Sequence, residues 1–237
     1  MDNKKIDKIV DHLEVMQICD STFPIGTFNH SFGMENYLRN QKINGAAEFE
    51  VWLKNYYLSQ FKYGEGLLTL LTYHALKNDD YEEILKMDNI ITRSTAARET
   101  RNAAKLIANQ MIILIEKLYG DKIPFLKKYQ DDIKDGKAFG NPAIAFTMLA
   151  HYKHISITES YFMYGYSVAS TLVQNAVRAV PLGQREGQLV LNKIIKLLGK
   201  LFKEEKNLDV SYLGANSPGL EMAQINHEAQ PTRLFMS

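Results

Sequence analysis

The stretch RNAAKLIANQMIILIEKLY, residues 101–119, decides the fold class of this chain. Its apolar residues recur every three or four positions, so they occupy one face of a helix with about 3.6 residues per turn. These apolar residues are Ile107, Met111, Leu114, Ile115 and Leu118. A β-strand would alternate apolar and polar residues, and this stretch does not. The stretch therefore predicts an amphipathic helix.

The same spacing returns along most of the chain, for example in residues 191–202. Asp79 and Ser156 each precede a glutamate by three residues, which is the spacing of a capping box at a helix start. Asn141 precedes a proline, a second start signal. Turn-forming glycines and prolines separate the periodic segments. The sequence therefore predicts one all-α, helical-bundle-like domain over residues 1–237, with about nine or ten helices.

Composition and charge exclude several classes of protein. The 237 residues are 46% hydrophobic and 23% charged, as in an average soluble globular protein. Lysine and arginine total 28 against 27 acidic residues, so a broadly basic surface for nucleic acid is not expected. The single cysteine, Cys19, excludes an intrachain disulfide and fits a reducing compartment.

Export and membrane insertion are not expected either. Residues 1–5, MDNKK, and the mixed residues that follow lack the apolar core of a secretory signal. Residues 160–177 carry no charge but contain many polar side chains, whereas a membrane span needs about 20 mostly apolar residues. We therefore expect a buried central helix at 160–177, no membrane contact and a cytoplasmic location.

Signals for catalysis are weak. The chain has no G-x-x-x-x-G-K-[ST] phosphate loop. Residues 29–33, NHSFG, approach the nucleophile-elbow pattern but lack its first glycine and the strand that should precede it. An all-α hydrolase or metal-dependent enzyme that uses His30, Ser31 and Glu35 stays open as an alternative, because spacing does not show whether these groups converge.

A resident metal is not expected. His151 and His154 stand three residues apart, but no third ligand is evident near them, and a solvated helix end explains them better. No cofactor motif is found.

Two sets of basic residues have competing explanations. Three arginines, interleaved with Glu99 on one helix, suit an anion site or an arginine finger, and a salt-bridge network suits them at least as well. They are Arg93, Arg98 and Arg101. Four lysines form a stripe that fits a solvated face better than a partner-binding strip. They are Lys193, Lys196, Lys200 and Lys203.

Two internal stretches contain more polar, aromatic and glycine residues than a buried core requires. Residues 20–35, DSTFPIGTFNHSFGME, lie between two helical segments. Residues 177–188, VRAVPLGQREGQ, break a helix at Pro181 and begin another. Compact helix–helix connections would account for both stretches.

A third unusual stretch is the C-terminal tail, residues 227–237, HEAQPTRLFMS. Its Leu234, Phe235 and Met236 are apolar at a position where an isolated domain could hardly bury them. An exposed apolar cluster beside an arginine is typical of a docking surface. We therefore expect the tail to bind a partner.

Together these stretches resemble the urease accessory protein UreF family. Its pattern L-P-I-G-G-F-S-x-S-x-G-L-E is similar to residues 23–35, and V-R-x-V-P-L-G-Q-x-E-G-Q to residues 177–188. The pattern H-E-x-Q-x-x-R-L-F-x-S is similar to the tail, and residues 95–101 resemble the family's arginine-bearing helix. Thr27 replaces a glycine that is usual in the family, which makes the backbone of that turn uncertain.

The resemblance implies an all-helical protein, usually a homodimer, with no catalysis of its own. Family members bind UreD, also called UreH, and the pair recruits the nickel-carrying GTPase UreG. The assembly is presented to apo-urease and supports GTP-dependent nickel insertion. A purely structural helical protein remains a further alternative.

The resemblance also assigns site residues. The partner-binding residues of the tail are His227, Glu228, Gln230, Arg233, Leu234 and Phe235. The motif loops contribute Pro24, Gly26, Phe28, Ser31, Gly33, Glu35, Arg178, Pro181, Gly183, Gln184 and Glu186. The arginines that could face the GTPase are Arg93, Arg98 and Arg101.

Overall fold

A computed structural model of the chain describes residues 3–237, which fold into helices and contain no β-strand. Residues 1 and 2, part of the segment searched for a secretory signal, lie outside the described residues. The α-helices are α1 (Asn3–Cys19), α2 (Met34–Arg39), α3 (Ala46–Tyr56), α4 (Leu67–Lys77), α5 (Tyr81–Ser94), α6 (Arg98–Tyr119), α7 (Leu126–Lys134), α8 (Pro142–Tyr152), α9 (Ile157–Ala179), α10 (Gln184–Glu205) and α11 (Pro218–Glu228).

A π-helical segment, Tyr57–Gly66, joins α3 to α4, so these three elements form one continuous helical run with a kink at Gly64. Short 3₁₀ turns occur at Thr27–Asn29 and Val210–Tyr212. Within residues 3–237 the α-helices therefore make ten separate rods. The predicted all-α class is confirmed, and so is the predicted number of helices.

Helix α9 lies at the centre of the fold and contacts α1, α3, α4, α8 and α10. Tyr161, Ala169 and Leu172 on α9 are fully buried. The predicted uncharged, buried helix at residues 160–177 is therefore confirmed. None of the described helices combines the length and hydropathy that a bilayer span requires.

Two of the predicted helix starts are confirmed and one is displaced. Ser156 begins α9 with a capping box, because its hydroxyl accepts from the Glu159 amide at 3.2 Å. Asn141 Oδ1 accepts from the Ala143 amide at 2.9 Å. The capping box at Asp79 is wrong, since Asp79 has a φ of 57° in the turn after α4. Asp80 instead caps α5, accepting from the Glu83 amide at 3.0 Å.

The π segment packs closely against α9 at Gly165. Tyr57 Oη donates to the Gly165 carbonyl at 2.6 Å. A Cβ on Gly165 would lie 2.7 Å from Leu198 Cδ2 and 3.1 Å from Phe61 Cζ, both closer than side chains normally approach. Gly165 therefore sets how closely α9 approaches α10 and the π segment.

We expect Gly165→Ala to lower the free energy of unfolding by about 1–3 kcal/mol, because the added methyl group overpacks a filled core. Gly199 on α10 is the control, since a Cβ there meets nothing within 4 Å. Gly199→Ala should be neutral or stabilising by up to about 1 kcal/mol, as alanine favours the helix. Urea unfolding of both variants measures the difference, and equal effects would contradict the packing argument.

The core also contains an ionisable group, the carboxyl group of Glu205, which is fully buried at the end of α10. Tyr161 Oη donates to its Oε1 at 2.7 Å, and Oε2 has no hydrogen-bond partner among the described residues. Burial raises the pKa of Glu205 to about 8, although the Tyr161 hydrogen bond and Lys62 partly oppose this. The folded chain therefore holds a proton here at neutral pH.

Because the pKa of Glu205 is raised from 4.5 to about 8 on folding, the folded state binds more protons between these values. This group therefore lowers the stability of the fold progressively as the pH rises from about 4.5 to about 8, and the loss is constant above that. Glu205→Gln keeps an acceptor for Tyr161 and cannot ionise. We expect this variant to gain melting temperature relative to the parent at pH 9, with little difference at pH 5. Thermal unfolding at both pH values measures this, and a pH-independent difference would contradict it.

Candidate functional site

The C-terminal tail folds back onto the N-terminal loop, residues 20–35. Met236 N donates to the Asn29 carbonyl at 2.7 Å, and Ser31 N donates to the Ser237 carbonyl at 2.6 Å. The Ser31 hydroxyl donates to the same Ser237 oxygen at 2.8 Å. Two stretches that the sequence places about 200 positions apart therefore form one site.

Glu35 is the main acceptor for the tail. Gly33, with a φ of 93°, turns the loop into α2 and puts Glu35 in the first helical turn. The Glu35 carboxylate accepts from Leu234 N at 2.6 Å and from Phe235 N at 3.0 Å. Hydrogen bonds to an ionised acceptor are stronger than those between neutral groups. Glu35 therefore fixes the path of the tail backbone.

His227 links Glu35 to a second carboxylate on α6. It is fully buried, with Nε2 3.0 Å from Glu35 Oε2 and Nδ1 2.9 Å from Glu99 Oε2. Each ring nitrogen therefore faces a carboxylate oxygen of a different helix. Arg233 also binds the Glu99 carboxylate. The chain of charges connects α2, α6, α11 and the tail.

Glu99 stays ionised in this half-buried position. Its burial tends to raise the pKa, but the hydrogen bonds from His227 and Arg233 outweigh burial and hold the pKa below the ordinary value. Glu228 adds a further tie to α6: its Oε1 accepts from the Glu99 amide at 3.1 Å.

The end of α9 completes the site. Asn175, fully buried, donates to the His30 carbonyl at 2.8 Å. Arg178 Nη1 donates to the Phe28 carbonyl at 2.9 Å. The Arg178 guanidinium lies 4.4 Å from the Phe28 ring centroid and 5.6 Å from that of Phe235. All three stretches singled out in the sequence thus meet at one place.

The remaining motif-loop residues shape the backbone around this site. Pro24 is exposed, and Gly26 has a φ of 89° before the 3₁₀ turn that Thr27 begins. The left-handed backbone falls on Gly26 and not on Thr27, so a threonine is accommodated at position 27.

The second loop forms the start of α10. Gly183 N donates to Glu186 Oε2 at 3.0 Å, Gln184 is the first residue of the helix, and Pro181 is exposed before it. These four residues therefore build a helix–helix connection, whereas Arg178 and Asn175 contact the N-terminal loop.

The expectation that an isolated domain could hardly bury the apolar tail residues is wrong for Phe235. Phe235 is 3% exposed, whereas Leu234 is 55% and Met236 59% exposed. The backbone bends at Leu234 and Phe235, and of these three apolar side chains only Phe235 faces the core. Gln230 is also buried, and neither of its side-chain amide atoms has a hydrogen-bond partner among the described residues.

Among the side chains that the structure describes, the three arginines do not form a salt-bridge network. They also do not share one helix, since Arg93 lies on α5 and Arg98 and Arg101 lie on α6. Arg101 Nη1 donates to the carbonyls of Thr95 and Ala96, each at 2.7 Å. Arg93 lies 5.8 Å from the Phe139 ring centroid. Arg98 has a 72% exposed side chain with its Nε 3.9 Å from Glu228. The network interpretation is therefore wrong for Arg93 and Arg101.

The three side chains that the alternative enzyme hypothesis requires, His30, Ser31 and Glu35, are all hydrogen-bonded to the tail. Ser31 Oγ donates to Ser237, and His30 Nδ1 lies 2.8 Å from Ser237 Oγ. Burial lowers the pKa of His30 to about 4. A nucleophile and its base should be within hydrogen-bond reach of each other, and Ser31 and His30 each bond to the tail instead. Glu35 is likewise taken by main-chain donors.

No group of three or more potential metal ligands occurs among the side chains that the structure describes. His151 lies in the last turn of α8, where burial lowers its pKa, and His154 follows beyond the helix end with a φ of 54°. The predicted helix-end position of these two histidines is confirmed, and His154 is exposed, whereas His151 is half-buried with its ring 5.1 Å from that of Tyr73.

Sequence reasoning missed several residues that hold the tail. Glu99 was considered only as an arginine partner, and Asn175 and Ser237 were given no role. Asn175 had a usable signal, because a polar amide on the buried face of an apolar helix must find a hydrogen-bond partner. Glu99 and Ser237 had no such signal in the sequence, since their hydrogen-bond partners lie far away along the chain.

The fold and this site define a class of protein: an all-helical chain whose tail closes on its N-terminal loop through buried charges. The UreF family model matches residues 43–195. The urease accessory protein UreF of Streptococcus salivarius (strain 57.I) is 52% identical over 227 residues, covering 96% of this chain and 95% of that protein. The UreF protein of Streptococcus thermophilus (strain ATCC BAA-491 / LMD-9) matches with the same identity and coverage. The chain belongs to the UreF family of urease accessory proteins.

We expect Glu35→Ala to release the tail, because it removes the acceptor of two tail amides. Hydrogen bonds to charged groups contribute roughly 1.5–3 kcal/mol, so the amides of Leu234 and Phe235 should exchange with deuterium about tenfold faster or more. Glu48→Ala, at an exposed position on α3, is the control. Exchange of the tail peptide followed by mass spectrometry measures this, and unchanged protection in Glu35→Ala would contradict the assignment.

Proposed function

We propose that this chain is a non-enzymatic adaptor in the assembly of the urease nickel centre. It binds UreD (UreH), recruits the GTPase UreG and supports GTP-dependent nickel insertion into apo-urease, in the cytoplasm and without nucleic acid or membrane contact. Nickel is cargo in this proposal, and the chain holds no cofactor. The similarity to urease accessory proteins supports the accessory role. The hydrogen bonds of Ser31 and His30 to the tail support the absence of catalysis.

The observation that carries the proposal is the two-sided tail. Phe235 is buried and holds the tail against the protein, while Leu234 and Met236 project into solvent from a backbone fixed by Glu35. Exposed apolar side chains on an ordered backbone bind with a small entropy cost, because the segment is already in its binding conformation. We assign the UreD contact to Leu234 and Met236, beside the partly exposed Arg233.

The charged residues of the tail have the supporting role. His227, Glu228 and Arg233 fix the register of the tail through Glu35 and Glu99. In this proposal Gln230, buried but without hydrogen bonds in the described residues, gains its partners on assembly. Of the three arginines proposed to face UreG, Arg98 is the best placed, because its side chain is 72% exposed.

A homodimer is supported by the outer face of α1. Its apolar residues follow helical spacing and are 42–59% exposed; they are Ile6, Ile9, Val10, Leu13 and Met16. Beside them a groove of about 510 Å³ is lined by Met16 and by Phe162 and Tyr166 of α9. We propose that a second copy covers this face, and light scattering of the chain alone tests it through the mass of the particle.

The tail assignment is tested by co-expression with the cognate UreD and UreG. We expect the double variant Leu234→Asp, Met236→Asp to lose the complex, because two charges replace the exposed apolar contacts while Phe235 stays buried. Leu118→Asp, a 48% exposed leucine on α6, is the control and should assemble normally. Size exclusion with light scattering measures the complex mass.

Full assembly of the double variant would contradict the tail assignment. Failure of the unaltered chain to associate with either protein would contradict the adaptor role itself. Ester turnover by the purified chain that disappears in Ser31→Ala would support the enzyme alternative instead.

A further inference from the structure

A groove between α3 and α10 is lined by seven residues, four of which are lysines. It has a volume of about 210 Å³ and lies on the surface where the two helices pack. Its walls are four lysines and one glutamate: Lys54, Lys193, Lys196, Lys200 and Glu50. Its floor is apolar and is formed by Ile194 and Leu197. The tail and the α1 face contribute no residue to this lining.

The positive charge in this groove is poorly compensated. Lys193 pairs with Glu50 at 2.7 Å. Lys54, Lys196 and Lys200 are exposed and form no ion pair with the side chains that the structure describes. Three positive charges therefore remain in a chain whose total net charge is +1. Elsewhere some lysines are paired, as Lys153 is with Asp11 and Glu14, and others, such as Lys105 and Lys117, form no ion pair with the described side chains. The groove differs because it groups three such lysines around one apolar floor.

The spacing of the lysines matches a helical partner. Lys193, Lys196 and Lys200 follow the i, i+3, i+7 pattern, so they form one row about 10 Å long at about 1.5 Å per residue. Lys203 extends the row towards the end of α10. Carboxylates repeated at the same spacing on another helix would face these ammonium groups in register.

The depth of the apolar floor distinguishes between the kinds of anionic partner that could bind the lysines. Ile194 is 1% exposed, so the accessible apolar surface of the floor belongs to the half-buried Leu197, below the lysine rim. A flat bilayer or a nucleic-acid backbone contacts the rim but does not reach the floor, whereas one protruding side chain does. Small-molecule pockets usually have about 300–1,000 Å³, so this groove is sized for a side chain rather than a cofactor.

We propose that the α3–α10 groove is a docking site for an acidic amphipathic helix of a partner protein. The partner inserts one aliphatic side chain against Leu197, and its glutamates or aspartates face Lys54, Lys196 and Lys200. Complementary charge sets the register and speeds association, and the inserted side chain supplies the apolar contact.

The probe is a fluorescein-labelled helical peptide with glutamates at i, i+3 and i+7 around one leucine, titrated with the full chain. We expect saturable binding, read by anisotropy, that weakens as salt is raised. The double variant Lys196→Glu, Lys200→Glu should weaken binding about a hundredfold, since like charges now face each other. Replacing the peptide leucine by serine should weaken it about tenfold.

The control is Lys105→Glu, Lys117→Glu, which makes the same change in net charge at exposed positions on α6. It should bind the peptide as the unaltered chain does. Equal losses in the two double variants would show only long-range attraction and would overturn the proposal. So would the absence of peptide binding, or tighter lysine-dependent binding to single-stranded DNA or to phosphatidylserine vesicles than to the peptide.

Discussion

The buried imidazole of His227 between Glu35 and Glu99 is the interaction on which the site depends. Charges are buried at a cost unless each has partners, and here Arg233 and two tail amides satisfy the remaining carboxylate oxygens. The removal of one member leaves the others unpaired, which typically costs about 3–5 kcal/mol. The four charged or polar side chains therefore depend on one another, and the position of the tail depends on all of them.

The central helix makes this arrangement possible. Because α9 carries no charge between residues 160 and 177, helices can pack around it, and Gly165 allows the π segment to come close. The same helix ends with Asn175 and Arg178, which hold the N-terminal loop. The packing of the core and the geometry of the site are thus set by the middle and the C-terminal end of one helix.

The three apolar residues of the tail form one cluster in the sequence but have two different roles in the structure. Phe235 completes the core of this chain, while Leu234 and Met236 remain on the surface. A prealigned segment of this kind suits an accessory protein that must recognise partners without rearranging its own fold. The serine and histidine that might suggest catalysis have a structural explanation, since both bind Ser237.

The sequence by itself determined the helical class, the central α9 and the three stretches that meet at the site, because periodicity, capping and composition are local properties. Residues that bond across the fold could not be predicted in this way. Glu99 and His227 are 128 positions apart, and only folding places them 2.9 Å from each other. The inward turn of Phe235 was decided by tertiary structure for the same reason: whether an apolar side chain faces the core or the solvent depends on what packs beside it.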